Sequence, residues 1–464
     1  MLTRIEIDGF KTFEDFSVDL APFVVILGSN AAGKSNLFDA IQLLSNLATQ
    51  DVGEAIKGMR GEPLELFRCT EGGGYGKKMR FAVEVLLDPS VRDPWGKEVD
   101  LGHTRLRYDV VLERQEVRPG IDRVLVVSES ATPITRGDDE KWAKRFRPVP
   151  AFRKAHLKYK RPAALLSTQG EQGARVFHLH QDGRAGRTLQ RPASAAEATV
   201  LYSVTNAEFP HLFALREEMR NWRLLQLDPA LLRRPSSATA ADLLAADGSN
   251  LATVLARLKA ETATEDRPKG VLSDIAAALN SLIPDVTSLD AELEPSMREH
   301  RVKLTMRDGL QFSSRVISDG TLRVLALLTL MHDPRHRGLV CFEEPENGVH
   351  PARLKQLAQS LRDMVTRPDN FDADAREPLS QLLLNSHSPV VLSALIGSDL
   401  RSQGDPVFFA DTTTVIDPGE RLMRRRTRMR PVKPNQLFDT SDETTVTVSE
   451  LEVRRMLDSV GQEG

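Results

Sequence analysis

Residues 23–48 read FVVILGSNAAGKSNLFDAIQLLSNLA, and this stretch governs how the rest of the chain is interpreted. The apolar run over 23–27 predicts a buried β-strand, and apolar residues at helical spacing after position 34 predict an amphipathic helix. Between them lies the pattern G-x(4)-G-K-S, from Gly28 to Ser35. A strand before this pattern and a helix after it form the context that a phosphate-binding loop requires.

Each residue type in this loop has a task in phosphate binding. Two glycines let the backbone turn tightly and bring N–H groups close to phosphate oxygens. Lys34 is expected to reach the β- and γ-phosphates, and the Ser35 hydroxyl is expected to ligate Mg²⁺. The sequence therefore predicts a nucleoside triphosphate site, and the residues expected to contact the nucleotide are Gly28, Ser29, Asn30, Ala31, Ala32, Gly33, Lys34, Ser35 and Asn36.

The bulk composition is that of a soluble globular protein. Of the 464 residues, 41% are hydrophobic and 27% are charged, and the net charge is −3. Any affinity for nucleic acid must therefore come from local basic patches. Cys69 and Cys341 are the only cysteines, which argues against a disulfide framework or a zinc site and fits a reducing compartment. No apolar run approaches 18 residues, so we expect a cytoplasmic protein without a membrane span.

Outside the loop, hydrophobic periodicity predicts a mixture of strands and helices. Residues 1–22 alternate around a Gly9-Phe10 break, as in a hairpin, whose phenylalanines either pack in its core or stack on a base. Residues 50–78 are polar and glycine-rich, which predicts an exposed loop. Antiparallel strands are predicted over 79–87, 104–113 and 123–128, and further strands over 287–294 and 301–307. Helices are predicted over 208–222, 240–259 and 269–283, the second with a break at 247–250, where a Ser or Asn cap is expected to start a new helix.

A second apolar run, GLVCFEEP from Gly338, ends in two adjacent carboxylates. A buried parallel strand would place these carboxylates at its C-terminal edge, beside the phosphate loop. Glu343 is then expected to hold the Mg²⁺ shell, and Glu344 to act as the general base for the attacking water. The alternative is a strand that ends at the protein surface.

Two further motifs lie in the second half of the chain. Ser318-Asp-Gly-Thr precedes an apolar helix, and Ser318 is the expected N-cap, which leaves N–H groups and a positive dipole at the helix start. Taken alone, this motif indicates a capped helix and nothing more. The run QLLLNSHSP over 381–389 predicts a buried strand that ends in polar residues. His387 there is expected to contact the γ-phosphate, although a lone histidine in such a place is more often structural.

Two segments combine positive charge with few or no acids. Residues 141–161 carry nine lysines and arginines, no acidic residue, and interleaved aromatic rings, as a nucleic-acid contact requires. Residues 421–433 hold six arginines and one lysine. The alternatives for 141–161 are a solvated face and a surface for an acidic protein partner.

The order of these motifs resembles the ABC-type ATPase heads of the RecF and structural-maintenance-of-chromosomes superfamily. Within it, the chain is most similar to the overcoming-lysogenization-defect (OLD) group and to the ATPases of anti-phage systems such as Septu and PARIS. The resemblance rests on 1–48 and about 310–395, including Glu343-Glu344-Pro-Glu-Asn-Gly-Val-His-Pro351 and Asn385-Ser-His387. It implies an α/β fold, namely an ABC-type P-loop head with a mixed sheet, an antiparallel β subdomain and an inserted helical subdomain.

The resemblance also implies a division of the chain and a dimer. Residues 1–160 and 285–464 would form the two parts of the ATPase head, and 161–284 the inserted, mainly helical subdomain. Two ATP molecules, each with Mg²⁺, would be sandwiched between the heads of a homodimer. Each site would use Lys34, Ser35, Glu343, Glu344 and His387 of one chain. The γ-phosphate would also contact the motif Ser318, Asp319 and Gly320 of the other chain.

OLD nucleases carry a Toprim domain after the histidine motif, whereas 77 residues follow His387 here, and the Asp372-Ala-Asp374 pair precedes it. We therefore expect no nuclease in this chain. The leading hypothesis is an ATPase that senses or clamps DNA and controls a separately encoded effector, a nuclease or toxin, in phage defence. The alternatives are a RecF-like repair or chromosome-maintenance ATPase, a transport ATPase subunit, and a binding module with a dead site.

Overall fold

The computed structural model describes residues 1–70, 74–118, 121–160, 163–171, 173–181, 188–283, 285–347, 349–371, 378–396, 406–416, 423–433 and 447–460. In chain order, the strands are β1 Leu2–Asp8, β2 Phe16–Asp19, β3 Phe23–Gly28, β4 Lys78–Leu86, β5 Ser90–Arg92, β6 Glu98–Asp100, β7 Arg105–Arg118, β8 Ile121–Pro133, β9 Leu166–Gln169, β10 Val176–His180, β11 Thr188–Pro192, β12 Arg223–Leu225, β13 Ser236–Ser237, β14 Val286–Glu294, β15 Glu299–Met306, β16 Gln311–Ser313, β17 Gly338–Glu343, β18 Ser380–Ser386, β19 Val407–Ile416, β20 Met423–Lys433 and β21 Val448–Ser449. The helices are α1 Lys34–Leu47, α2 Val52–Lys57, α3 Glu140–Phe146, α4 Pro150–His156, α5 Pro210–Arg220, α6 Pro229–Leu232, α7 Leu251–Thr262, α8 Leu272–Leu282, α9 Asp319–Met331, α10 Leu354–Asp363, α11 Pro389–Ile396 and α12 Glu450–Val460.

The central sheet has the order β12-β17-β18-β3-β19-β20-β21. Neighbours from β12 to β19 pair in parallel, and β20 runs antiparallel to β19. The buried parallel strands predicted at 23–27, 338–343 and 381–386 therefore lie side by side, which confirms the mixed α/β fold. Strand β12 comes from the segment predicted as an insertion, so that segment contributes to the head itself.

Alternate residues of the central strands face two different cores. Val24 and Ile26 of β3 belong to a core that includes α1 and the antiparallel sheet. Val25 and Leu27 belong to a second core, which includes α7, α8, α9 and α10. Both faces of the sheet are therefore covered, which explains why β3 reads as a continuous apolar run and not as an alternation.

The antiparallel sheet has the order β11-β10-β9-β8-β7-β4-β1-β2. It contains the predicted N-terminal hairpin, whose Phe10, Phe13 and Phe16 are all buried in the first core. These rings therefore pack in the core and are not available to stack on a base. Strands β9 to β11 extend the same sheet beyond residue 161. The predicted boundary between residues 160 and 161 therefore lies within the part of the chain that forms this sheet. Short strands between polar turns give little periodic signal, so the sequence pattern did not show that β9 to β11 belong to it.

The helical stretch agrees with the predicted pattern at α5 and α8 but not throughout. Helix α7 begins at Leu251, directly after the predicted break, and Asn250 occupies its N-cap position without a side-chain cap bond, whereas residues 240–246 before the break are not helical. The reason is that Asn250 binds the preceding loop: its amide donates to the carbonyls of Ala241 and Leu243, and its side-chain oxygen accepts from the Ala245 N–H. Helices α7 and α8 pack against a third sheet, formed by β13 to β16.

The prediction of an exposed loop over 50–78 was wrong in part. This stretch contains α2, whose Val52, Ala55 and Ile56 are buried against the first core. The sequence signal was weak because the helix has only six residues, fewer than two turns. Within the described part of the chain, none of the helices has the length and apolar character needed to cross a membrane.

Candidate nucleotide-binding site

The site lies at the carboxyl edge of three adjacent parallel strands, β17, β18 and β3. Glu343 at the end of β17 is in register with Asn385 of β18, and Asn385 is in register with Ile26 of β3. Because the carboxyl ends of parallel strands meet at one edge, the phosphate loop, the two carboxylates and the histidine motif converge there. Chain segments more than 300 residues apart thus share one edge.

The two loop glycines are required by their surroundings as well as by the turn. Gly33 has φ +88°, and a Cβ added there would lie 2.1 Å from Oγ1 of Thr427 on β20. A Cβ added at Gly28 would lie 2.4 Å from the carbonyl oxygen of Ala410 on β19. The strands that follow β3 in the sheet therefore press against the loop and leave no room for a side chain at either position.

Lys34 is the first residue of α1 and is almost fully buried. Its Nζ donates hydrogen bonds to the carbonyls of Gly28, at 2.6 Å, and Ser29, at 2.8 Å. Burial lowers the pKa of the Lys34 ammonium to about 8, against the carboxylates of Glu344, Glu346 and Glu343, which act to raise it. The lysine is thus held inside the loop that it is expected to serve.

Ser35 and Glu343 meet directly. The Ser35 hydroxyl donates to Glu343 Oε1 at 2.7 Å, and Asn385 Nδ2 donates to the same oxygen at 3.1 Å. Arg323 of α9 donates to the Glu343 carbonyl at 3.1 Å. The hydroxyl and the carboxylate predicted to hold Mg²⁺ are therefore adjacent; Asn385 of β18 orients the carboxylate, and Arg323 of α9 holds the backbone of the same residue.

Glu344 is held in an unusual conformation. Its φ is +52°, in the left-handed region that non-glycine residues adopt at a cost of about 1–2 kcal/mol. Its N–H donates to the Asn385 carbonyl at 3.0 Å. Asn347 Nδ2 donates to its Oε2 at 2.6 Å, and His387 Nδ1 lies 3.1 Å from its Oε1. The side chain is about 40% exposed, so a carboxylate oriented from two sides remains open to water.

Beside these residues, Glu346 accepts a hydrogen bond from the Ser386 hydroxyl. The Ser386 Oγ in turn accepts from the Ser388 N–H at 3.0 Å. Burial raises the pKa of the Glu346 carboxyl. Glu346 therefore connects the loop after β17 with the loop after β18. His387 lies in this second loop, between the two serines that form these hydrogen bonds.

Four residues of the site were not assigned a role from the sequence. Asn385 and Asn347 orient the two carboxylates, as described above. Thr12 accepts from Asn36 Nδ2 at 2.8 Å and shares a 2.7 Å hydrogen bond with Thr427. Asn36, predicted to contact nucleotide, thus uses its amide within the protein. Asn347 and Asn385 stood inside the quoted motifs, whereas Thr12 and Thr427 carried no sequence signal.

The motif Ser318-Asp319-Gly320 begins α9, and its expected cap is present. Ser318 Oγ accepts from the Thr321 N–H at 3.2 Å. Arg233 pairs with the Asp319 carboxylate and donates to the Ile317 carbonyl at 3.0 Å. Among the described residues, no hydrogen bond or ion pair joins this motif to residues 28–36 of the same chain.

The basic segments differ from what their sequences suggest. In 141–161, Trp142 and Phe152 are buried in a small core, so these rings are not exposed for stacking on bases. In β20, Arg428 and Arg430 both pair with Asp411 of the neighbouring strand, at 2.8 and 2.6 Å. Residues 421–422 and the Asp372-Ala-Asp374 pair lie outside the described residues.

A magnesium ion fits the donor set at Ser35 and Glu343. Within the described ranges, no group of three or more His, Cys, Asp or Glu residues could hold a metal on its own. Magnesium bound with nucleotide needs no such group, because one or two protein oxygens suffice beside phosphate and water. Cys69 is exposed and Cys341 is buried in β17, and neither forms a disulfide.

Comparison with solved structures returns heads of structural-maintenance-of-chromosomes proteins. One is the head bound to the C-terminal winged-helix domain of ScpA, with 12% identity, a TM-score of 0.46, and coverage of 92% of this chain and 98% of that one. Another is the head domain from Thermotoga maritima, with 11% identity, a TM-score of 0.37, and coverage of 93% and 99%. A third is the Pyrococcus yayanosii head domain with a coiled coil and joint, with 11% identity, a TM-score of 0.45, and coverage of 99% of both chains.

No curated protein matches the chain. A family model does match, over residues 23–393, an interval that runs from β3 to α11 and includes the phosphate loop, the carboxylate pair and His387. Its description is "AAA domain, putative AbiEii toxin, Type IV TA system". Since the match covers most of the chain, this protein belongs to that family of AAA-domain proteins.

Proposed function

We propose that this protein binds and hydrolyses ATP at the carboxyl edge of the central sheet. The observation that supports the proposal is the convergence of Lys34, Ser35 and the Glu343-Glu344 pair, with a 2.7 Å bond between Ser35 and Glu343. Backbone N–H groups of the loop and the α1 N-terminus favour the negative phosphates. The Lys34 ammonium adds a full positive charge, because its pKa of about 8 keeps it protonated at pH 7.

In this proposal, Ser35 and Glu343 hold the magnesium ion. Both hydrogen bonds to Glu343 go to Oε1, and among the described residues none goes to Oε2, which is the oxygen left for a cation. Magnesium would neutralise charge on the β- and γ-phosphates. Asn385 fixes the rotamer of Glu343, so that the carboxylate need not reorganise when the ion binds.

Glu344 acts as the general base in this proposal. Its left-handed backbone turns the side chain out of the line of β17, Asn347 donates to one carboxylate oxygen, and His387 Nδ1 lies 3.1 Å from the other. A carboxylate held in this way can take the proton of the attacking water. His387, 3.1 Å from Glu344, would contact the γ-phosphate from the adjacent strand end. A left-handed backbone at a residue such as Glu344 costs free energy, and such conformations cluster at active sites, where they hold catalytic groups in position.

The test of this role is Glu344→Gln, which keeps the shape of the side chain and removes the base. We expect ATP turnover to fall by about 10²–10⁴-fold while ATP affinity is retained. Glu346→Gln is the matched control, because it changes a carboxylate two residues away that contacts Ser386. Steady-state phosphate release measures both variants. Equal losses in the two would remove the role assigned to Glu344, and undiminished turnover in Glu344→Gln would do the same.

We further propose that two copies complete each site. Ser318, Asp319 and Gly320 make no polar contact with the phosphate loop of their own chain in the described structure. The N–H groups at the start of α9 are nevertheless a suitable anion-binding group. A second copy could supply this motif to the γ-phosphate, in a homodimer that ATP holds together.

We propose that this ATP-dependent dimer controls a separately encoded effector in defence against phage. The support is the family description, which refers to a type IV toxin–antitoxin system, and the motif resemblance to defence ATPases. A DNA-maintenance role of the RecF kind remains the second candidate. Affinity purification of Glu344→Gln protein with ATP, from cells that carry the native gene neighbourhood, discriminates the two. A co-purified nuclease or toxin supports effector control, whereas DNA with repair proteins and no effector supports maintenance.

A further inference from the structure

A cleft of about 680 Å³ opens between α3, α4 and the turn that precedes α3. Its lining includes Arg136, Arg153 and Lys154, together with Asp139 and Tyr159. A volume of this size falls in the range of pockets that hold small ligands, about 300–1,000 Å³. Neither the nucleotide site nor the proposed dimer contact uses any of these residues.

The charge of the cleft is positive because its acidic floor is already neutralised. Asp139 is buried and accepts from Arg105 Nη2 at 2.8 Å and from Arg105 Nε at 3.0 Å, and the Tyr159 hydroxyl also donates to it. Glu140 at the rim pairs with Lys144 at 3.1 Å. By contrast, Arg136, Arg153 and Lys154 are exposed, and in the described part of the chain no ion pair joins any of them to an acidic group.

The floor is also built to stay in place. The Arg105 side chain is fully buried, and its guanidinium lies 5.0 Å from the centre of the Trp142 ring. Burial and the neighbouring Asp139 raise the pKa of the Tyr159 hydroxyl. Arg153 Nε donates to the Pro148 carbonyl at 2.9 Å, so only its other guanidinium N–H groups can serve a ligand of the cleft. Three exposed cations therefore surround a neutralised floor, an arrangement suited to a multiply charged anion.

The cleft is remote from the phosphate loop. Helices α3 and α4 pack on Leu379, which directly precedes β18, and the Val149 N–H donates to the Pro368 carbonyl at 2.8 Å. They thus lie at the amino edge of the central sheet, whereas the nucleotide site lies at the carboxyl edge. The seven residues of β18 separate the two edges by about 20 Å.

We propose that this cleft binds a phosphate-bearing ligand, held by Arg136, Arg153 and Lys154 as a second anion site. The rings of Trp142 and Phe152 are buried and unavailable for base stacking, and the three cations of the cleft favour contact with phosphate charge over base identity. The shared chemistry is a phosphate group, from either a nucleic-acid backbone or a small phosphorylated molecule. This inference does not rest on ATP hydrolysis, because the two sites share no residue.

The experiment uses full-length Lys34→Ala protein, in which the phosphate loop contributes least. A fluorescein-labelled ten-nucleotide oligothymidylate, measured by anisotropy, and inorganic pyrophosphate, measured by calorimetry, are the two probes. Arg136→Ala/Lys154→Ala removes two cations of the cleft. Lys141→Ala/Arg147→Ala removes two exposed cations of the same basic segment that do not line the cleft. Thermal melting checks that both double variants are folded.

We expect at least one probe to bind, and the cleft variant to weaken it by about tenfold or more while the control changes it less than about twofold. For the oligonucleotide, the slope of log K against log salt should fall by about 1.4, since two phosphate contacts are lost. Binding of pyrophosphate alone assigns the cleft to a small ligand, and binding of the oligonucleotide assigns it to a strand. The proposal is overturned if neither probe binds or if both double variants behave alike. Normal ATP affinity of Arg136→Ala/Lys154→Ala in the otherwise wild-type chain keeps this result separate from the ATPase proposal.

Discussion

Lys34 combines burial with a hydrogen-bonded ammonium, and its protonation has a functional consequence. Its pKa of about 8 means that the free protein loses this charge in mildly alkaline solution. Phosphate binding needs the charged form, so the Lys34 proton should cost no ATP affinity below about pH 8. Above it, affinity should weaken by up to about tenfold per pH unit, because the proton must be taken up on binding. Equilibrium ATP titrations from about pH 7.5 to about pH 9.5, where the terminal phosphate of ATP is already ionised, measure this profile.

The control for this prediction is Lys34→Arg. A guanidinium stays protonated above pH 12, so the variant should show a flat profile over the same range, whatever its absolute affinity. A parallel decline in both proteins would mean that another group titrates, and the role of the Lys34 proton would be rejected. Lys34→Ala should abolish binding at every pH.

At the scale of single residues, the sequence predicted the groups that carry charge but not those that orient them. Lys34, Ser35, Glu343, Glu344 and His387 lie at one sheet edge, because loop motifs and strand ends constrain their placement. The orienting residues are Asn347 and Asn385, together with Thr12 and Thr427. An amide or hydroxyl looks the same in sequence whether it is solvated or bonded to a carboxylate, so their roles become visible only once the strands are paired.

At the scale of elements, the start of α9 has two candidate roles, a structural cap and a phosphate contact, and two substitutions separate them. Ser318→Ala removes the acceptor for the Thr321 N–H and should lower the free energy of unfolding by about 1 kcal/mol. Ser318→Asp keeps a good cap and should change stability by less than about 0.5 kcal/mol. It also places a negative charge where a γ-phosphate would bind, and should therefore abolish ATP-dependent dimerisation.

Chemical denaturation and sedimentation velocity with ATP, both in the Glu344→Gln background, measure these two quantities. If Ser318 acts only as a cap, Ser318→Asp will dimerise as well as its parent. That result would withdraw the phosphate contact while leaving the α9 cap intact.

The contact between β20 and the phosphate loop gives a second prediction for an element. Gly33→Ala adds a Cβ that would meet Thr427 Oγ1 at 2.1 Å, in a backbone with φ +88°. Gly309→Ala, at φ +81° with nothing within 4 Å, carries the conformational cost alone, about 1–2 kcal/mol. Gly33→Ala should therefore be more destabilising than Gly309→Ala by a further 1–3 kcal/mol or so.

Adding Thr427→Ala should recover part of the extra destabilisation in Gly33→Ala but should not stabilise Gly309→Ala. The denaturation midpoints of the two glycine variants, each with and without Thr427→Ala, measure this difference. Additive effects in both backgrounds would mean that β20 does not press on the loop.

The elements that sequence analysis missed share a physical cause. Strands β9 to β11 have four or five residues each, and α2 has six. Such short segments show too few repeats for periodicity to separate strand, helix and loop. Long elements with one unambiguous face, such as α1 and β14, were predicted within a residue or two. The break predicted at 247–250 does precede α7, but the helix predicted before that break is a loop held by Asn250, whose apolar residues fall at helical spacing.

At the scale of the whole molecule, the proposed role of the α9 motif means that one chain by itself would have an incomplete nucleotide site. The phosphate loop and the carboxylates meet at the end of β3 and β17, whereas Ser318 starts α9 and makes no polar contact with that loop in the described structure. A symmetric dimer would resolve this, because a two-fold axis lets each chain supply its α9 motif to the other. The arrangement predicts that two differently defective chains can complement each other.

Lys34→Ala should abolish ATP binding by the phosphate loop of its own chain but leaves the α9 motif intact. Ser318→Asp leaves the phosphate loop intact but should block the phosphate contact of the α9 motif. Each protein alone should be inactive. In a mixed dimer, one site combines both defects, and the other combines an intact loop with an intact motif. An equimolar mixture should therefore regain up to about half of the wild-type ATPase rate, since neither variant dimerises with itself and each mixed dimer has one working site of two. A mixture of Lys34→Ala with Glu344→Gln is the control: both defects lie on the loop side, so no mixed dimer has an intact site. Activity of Ser318→Asp alone would mean that the site is complete within one chain, and no recovery in the first mixture would mean that the α9 motif of a second chain does not complete it.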